Sequence, residues 1–195
     1  DGDYEGSLDL YAKAVDIDPN FGRALSGWAL SLFTLGRTDE AAAKWEDALS
    51  KMGTMTERER LRTLGLYYIA VAGNYEKAVE TYSELVENYP ADNAGRNNLA
   101  IASFAMLDFD SALEQGREAL DVYPKNEIMR SNLALYAMYA GEFETSRTEA
   151  EALLADNPDY FTAWLPIAMA ANACSDLPGA ESAYAKMASA GARGV

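Results

Sequence analysis

Apolar residues return along this chain at helical spacing, in stretches separated by short polar breaks. In "NAGRNNLAIASFAML", Leu99, Ala102, Ala105 and Met106 fall on one side of a helix. "DFD" then interrupts, and "SALEQGREALDVY" forms a second amphipathic stretch. Pro124 closes it, because proline has no N–H with which to continue a helix. The same sentence is written again and again. Pro90, Pro124 and Pro158 stand 34 residues apart, and Ala78, Ala112, Ser146 and Ala180 keep the same step. So do Tyr75, Phe109, Phe143 and Leu177. Toward the N-terminus the step from Tyr4 to Thr38 is again 34, whereas Thr38 to Tyr75 is 37. Three extra residues therefore lie near "SKMGTMTERE".

This rhythm predicts one all-α array over 1–195: a half repeat at 3–19, then helix pairs at 22–53, 56–90, 93–126, 127–160 and 161–191. That makes about eleven helices. A two-helix unit cannot bury its apolar face alone, so neighbours stack into a solenoid. Small residues such as Ala78 and Ala112 let paired helices approach, while Tyr75 and Phe109 plug the junctions. Tyr75, Tyr82 and Tyr89 follow the rhythm and are assigned to structure.

The pattern resembles the tetratricopeptide repeat. "GNYEKAVETYSELVENYP" (73–90) carries the glycine, tyrosine, alanine, tyrosine and proline of that repeat's second helix. "GDYEGSLDLYAKAVDIDP" (2–19) carries the same word with Ser7 in place of alanine. Departures are local: Gly116 replaces an aromatic, Leu107 replaces the turn glycine, and Gly53 stands where proline is usual. The resemblance implies a right-handed superhelix of antiparallel helix pairs. More narrowly, 56–100 is similar to repeat segments of large bacterial regulators that carry a serine/threonine kinase or winged-helix domain elsewhere. No Gly-rich loop or "HRD" stands in this chain, so any kinase chemistry belongs outside it.

In such arrays the first helices of successive pairs line a concave groove. The helical period places Asn98 and Ile101 on one face, with Phe104 at its edge. One repeat later come Asn132, Leu135 and Tyr139, with Met138 at the edge. Leu64, Tyr67 and Val71 precede them; Pro166 and Met169 follow, with Asn172 beside. Ten of these form the expected partner-binding set: Asn98, Asn132, Tyr67, Ile101, Phe104, Leu135, Met138, Tyr139, Met169 and Asn172. An amide can hold a peptide backbone whatever its side chains, and tyrosine and phenylalanine offer broad, stiff contact surface. The asparagines sit in two near-identical words, "RNNLA" from Arg96 and "RSNLA" from Arg130. Leu99–Ala100 and Leu133–Ala134 follow from packing; the amides do not. The lysines, arginines and asparagines with which some of these modules grip acidic chaperone tails are replaced here by Ser26, Leu30, Leu64, Ala94 and Asn98, which argues against that ligand. Arg23 and Arg60 lie near groove entrances, as contacts or as solvated charges.

Composition narrows the function. With 31 acidic and 16 basic residues the net charge is −15, which disfavours nucleic acid and anionic membranes. There is no histidine, and Cys174 is the one cysteine. No disulfide framework, cysteine metal cluster, calcium loop or acid–base pair is predicted, so the chain reads as no enzyme, with no metal and no cofactor. Cys174 reads as a small core residue in an alanine-rich helix. Carboxylate pairs in "TDE", "DFD" and "GEFE" fall at helix starts and read as caps, and Thr56 with Glu59 as a capping box. Pro166 sits either in the first turn of its helix or at a kink. The half repeat exposes an edge of Leu8, Tyr11 and Val15. That edge marks a chain boundary or docks on a preceding repeat or a second copy. The chain opens at Asp1 rather than Met, as a fragment would.

The expectation is a cytoplasmic protein–protein interaction scaffold within a larger bacterial signalling or regulatory protein, binding a protein or peptide in its groove. Rival expectations are a cell-envelope or secretion assembly factor, which would place it in the periplasm, and the substrate-recruiting arm of a kinase or transferase. The array's ends offer a route to homo-oligomers.

Overall fold

The computed structural model describes residues 3–191. Among these, eleven α-helices and no strand are present: α1 (Tyr4–Ile17), α2 (Gly22–Thr34), α3 (Thr38–Ser50), α4 (Glu57–Ala70), α5 (Tyr75–Asn88), α6 (Asn93–Ala105), α7 (Phe109–Val122), α8 (Glu127–Tyr139), α9 (Phe143–Asp156), α10 (Trp164–Ala173) and α11 (Leu177–Gly191). They form an all-α solenoid of helix pairs. The three extra residues of the 37-residue step are taken up by a 3-10 turn, Met52–Thr54.

Side-chain caps recur at several helix starts, though not at α3 or α9, where "TDE" and "GEFE" lie and no carboxylate caps the backbone. Asp3, Asn74, Asp108 and Asp176 each accept a hydrogen bond from the backbone N–H three residues on, which caps α1, α5, α7 and α11. Thr56 and Glu59 close the expected capping box on α4. The α4–α5 turn closes with Asn74 reaching back six residues, to Tyr68, around Gly73 (φ 58°). At the turn inside each of the other four pairs, a backbone N–H reaches back five residues: Arg37 to the Leu32 carbonyl, Asp108 to Ser103, Glu142 to Ala137 and Asp176 to Ala171. This closure puts the intervening residue in the left-handed region. That residue is Gly36 (φ 75°), Leu107 (φ 64°), Gly141 (φ 82°) or Ser175 (φ 63°).

Packing gathers the chain into two units, one ending at Asn98 and one starting at Leu99, with the division inside α6. In the first, Ala29, Leu32, Ala41 and Trp45 form a core against which Leu8, Trp28, Leu66 and Tyr67 pack. Leu25, Ala48 and Met55 form a second cluster, covered by Val15. The fully buried Tyr82 ring lies against Gly65, where a Cβ would come within 2.5 Å of it. In the second unit, Ala100, Ala112, Leu113, Leu120, Leu133, Tyr136 and Ala137 form one core, and Ala134, Ala150, Leu153 and Ala163 another. Gly116, which departs from the family's aromatic, has a purpose: a Cβ there would lie 3.1 Å from the Tyr136 ring. The missing ring is supplied by the next helix instead. Each such large side chain contributes roughly 1.5–3 kcal/mol by leaving water.

Several expectations change here. The face of the half repeat is not an open edge: Leu8, Tyr11 and Val15 are half-buried, with Tyr11 against Gly27 of α2. What α1 exposes is Leu10 and Ile17. The physical reason is that α2 follows directly and covers the apolar stripe. Cys174 is exposed and not a core residue, because it caps α10 where the chain turns out of the helix. Pro166 is the third residue of α10, in the first turn, where its missing N–H leaves no bond unmade. It is buried and so faces no groove.

Candidate partner-binding surfaces

In the first unit the packing explains the word "RNNLA". The Asn98 amide nitrogen donates to the Tyr82 hydroxyl at 3.0 Å, and its oxygen accepts from the Asn97 amide at 3.4 Å. Asn98 is half-buried, so this asparagine serves the fold as well as facing the first-helix side. Burial raises the Tyr82 pKa, which keeps the hydroxyl protonated. Arg96 sends its Nε to the Pro90 carbonyl at 3.1 Å, and one repeat later Arg130 sends Nη2 to the Pro124 carbonyl at 2.6 Å. Both arginines thus tie down the loop closed by the repeat proline. Tyr67 is half-buried on the Trp45 core, 6.0 Å from the Tyr68 ring.

The first-helix ends of this unit hold a charge cluster that the sequence reading missed. Asp92 is fully buried at the start of α6. It accepts from Arg58 Nε, Arg62 Nε and Arg62 Nη2, each at 2.7 Å, and from the Gly95 N–H at 2.9 Å. Burial pushes its carboxyl up, but these donors outweigh burial and hold the pKa below the usual value. The only sequence signal was an aspartate three residues before a glycine at a predicted helix start. Nothing local pointed to arginines some 30 residues earlier. Arg23 is not a solvated charge: it is half-buried and donates to Ser26 Oγ at 3.2 Å. Burial and then the positive charge of Arg62 lower its pKa. Arg60 donates to the Met55 carbonyl at 3.0 Å.

In the second unit the structure brings two of the expected residues directly together. Phe104, near the end of α6, meets Tyr139, the last residue of α8, edge to face at 5.1 Å. Phe109 joins both rings, at 5.4 Å from Phe104 and 5.3 Å from Tyr139, and Tyr136 lies 5.1 Å from Phe104. The repeat rhythm places Phe109 at a junction, and nothing in the sequence singles out Tyr136. Their alignment depends on two neighbouring pairs stacking, which periodicity does not show. Tyr136 is buried, whereas Tyr139 keeps 45% of its surface exposed. Ile101, Asn132, Leu135, Met138 and Met169 are half-buried, and Asn172 is exposed on α10. Rings at these distances attract one another beyond their burial, so the cluster is a stiff apolar platform.

Among the described residues no three histidine, cysteine, aspartate or glutamate side chains gather as a metal-holding group. No described helix is long and apolar enough to cross a membrane.

Residues 5–159 match the family described as the coatomer epsilon subunit, and residues 131–194 match the tetratricopeptide repeat. The chain is a tetratricopeptide-repeat protein of the coatomer epsilon subunit family. Membership carries the helical-repeat fold; the coat in that description belongs to the proteins it names. No curated relative matches this tetratricopeptide-repeat protein. Solved structures with its fold include the APC/C hetero-tetramer Cut9-Hcn1, at TM-score 0.75 and 18% identity, covering 96% of this chain. Our chain spans 37% of that one's length. PilW, a type IV pilus biogenesis factor, aligns at TM-score 0.74 and 18% identity, over 95% of this chain and 84% of its own. YrrB, described as a TPR protein with an unusual peptide-binding site, aligns at TM-score 0.55 and 20% identity, over 82% of this chain and 81% of its own. At these identities the likeness is one of fold.

Proposed function

We propose that this tetratricopeptide-repeat protein is a non-catalytic scaffold that holds a partner protein or peptide on the first-helix face of its repeats. The observation that carries this reading is the Phe104–Tyr139 contact, a 5.1 Å pairing of rings from successive first helices that leaves Tyr139 substantially exposed. An aromatic platform left over after the core has closed is a docking surface by its chemistry. Ile101, Asn132, Leu135, Met138, Met169 and Asn172 extend that face in the second unit. Tyr67 and Asn98 belong to the corresponding face of the first. The parent protein on this reading is a larger bacterial regulator in the cytoplasm. Its repeat cadence over 56–100 supports that assignment.

A second reading is favoured by the likeness to PilW, which spans most of both chains. On it, the chain is an envelope assembly factor in the periplasm. A lipoprotein signal in the full gene would favour that reading; a kinase or winged-helix domain would favour the regulator, with this array as its recruiting arm.

The test is site-specific photo-crosslinking in cells, with the photoreactive residue at position 139 or, as control, at the exposed Glu84 of α5. A partner crosslinked from 139 and not from 84, and lost from purified Phe104→Ala protein of unchanged helix content, supports the proposal. Equal crosslinking from both positions, or capture indifferent to Phe104→Ala, would sink it.

A further inference from the structure

Charge in the first unit is sorted by helix. Its first helices, α2, α4 and the part of α6 up to Asn98, carry Arg23, Arg58, Arg60, Arg62 and Arg96 against Glu57 and Glu59 alone. Its second helices, α1, α3 and α5, carry eleven acidic residues and three lysines. Positive charge is therefore concentrated on the first helices, in a chain of net charge −15.

Four of these arginines are answered within the fold. Arg58 and Arg62 share Asp92, and Arg60 and Arg96 donate to backbone carbonyls. Arg23 has neither kind of partner among the described residues, although it is half-buried. Its bond to Ser26 Oγ, at 3.2 Å, uses one of the five N–H donors of a guanidinium. The strongest charge acting on it is that of Arg62, which has its own sign. A cation drawn out of water without a counter-ion costs stability, so folding does not account for an arginine here.

Arg23 lines a cavity of about 390 Å³ at the start of α2, together with Asp18, Phe21, Thr54, Met55 and Glu59. The carboxylates on its wall are engaged. Glu59 accepts from the Thr56 N–H and hydroxyl, both at 2.9 Å, and Asp18 accepts from the Asn20 N–H at 2.9 Å. Phe21 keeps 44% of its surface exposed. The cavity thus combines an unanswered guanidinium with an open aromatic ring.

We infer that Arg23, backed by Arg62, binds the carboxylate of an aspartate or glutamate side chain within a partner segment, whose neighbouring apolar residue packs on Phe21. The inference rests on the reading of the chain as a partner-binding scaffold, and names the chemistry of what its first unit holds.

The test pans the whole chain against a random-peptide display library. Selected peptides should share an internal acidic residue beside a large apolar one, and should bind as well with an amidated C-terminus. Arg23→Gln should weaken them at least tenfold and flatten the salt dependence, and Arg23→Lys should weaken them less. The denaturation midpoint of Arg23→Gln should equal or exceed that of the native chain, because no counter-ion is lost with the arginine. Lys44→Gln, on the second helix α3, should bind as the native chain does. Peptides held equally by Arg23→Gln overturn the inference, as does a consensus without an acidic residue or a library that yields no binder. Binding lost on amidation would make the ligand a terminal carboxylate and overturn it. Equal weakening by Lys44→Gln would reduce the effect to net charge, and a lowered midpoint in Arg23→Gln would make the arginine structural; either result overturns it. Loss in Phe104→Ala with binding intact in Arg23→Gln overturns it too, while leaving the scaffold reading standing.

Discussion

The amide of Asn98 donates its hydrogen bond to the hydroxyl of Tyr82, 3.0 Å away, on a side chain that is fully buried. A residue whose position suggested ligand binding is thereby tied to the fold. Asn98→Ala should cost about 1–3 kcal/mol, because it leaves a buried hydroxyl with one partner fewer. Tyr82→Phe should cost about 1 kcal/mol, and the double substitution less than the two combined. Urea denaturation of the four proteins checks this. A stability-neutral Asn98→Ala would mean that the bond contributes nothing and that the asparagine is free to act on a ligand alone.

The Asp92 carboxylate carries a pH dependence whose sign is set by its depressed pKa. Its stabilisation is fully present above the unfolded value of about 4 and is lost as pH falls through the folded one. Asp92→Ala should cost about 3 kcal/mol, since it strips Arg58 and Arg62 of their shared partner and α6 of its cap. The acid limb of the stability profile should flatten in the variant. An unchanged acid limb would show that Asp92 titrates alike in the folded and unfolded chain.

Leu107→Gly should raise stability by about 1 kcal/mol, independent of any partner, because the side chain removed is mostly exposed and its Cβ stands in the left-handed region. Gly141→Leu, the reverse change at the equivalent turn, should lower it by a similar amount. Thermal melts of both decide whether the turn is strained as its dihedral implies; a Leu107→Gly protein that melts earlier would show the exposed side chain to be holding the turn.

Gly65→Ala should be worse than its size suggests. The new Cβ would stand 2.5 Å from a ring that has no exposed side to retreat to, and overpacking of this kind costs about 1–3 kcal/mol. Ala112→Phe, at a fully buried position in the second unit, should do at least as much damage. Hydrogen exchange should show the loss of protection centred on α4 and α5 for the first variant and on α7 and α8 for the second. A neutral Ala112→Phe would contradict the repeat register itself.

What the sequence determined by itself is everything that recurs with the chain's own period. Helix spacing, the 34-residue step, the capping aspartates and asparagines, and the prolines are local signals. Each is legible because a residue's partner lies within a turn or at a fixed offset. Leu99–Ala100 and Leu133–Ala134 belong to that rhythm, and both words end in core. The tertiary structure alone decided what the remaining polar and aromatic residues meet. Asn98 meets Tyr82 from another helix, Asp92 collects two arginines of α4, and Gly116 makes room for Tyr136 of the helix that follows. Phe104 and Tyr139 share a face by periodicity, but only the stacking of successive pairs puts their rings in contact. Helical period fixes the direction of a side chain around its own axis. The distance to a side chain on another helix depends on how closely those helices approach, and small residues and glycines set that approach through contacts that no single stretch of sequence contains.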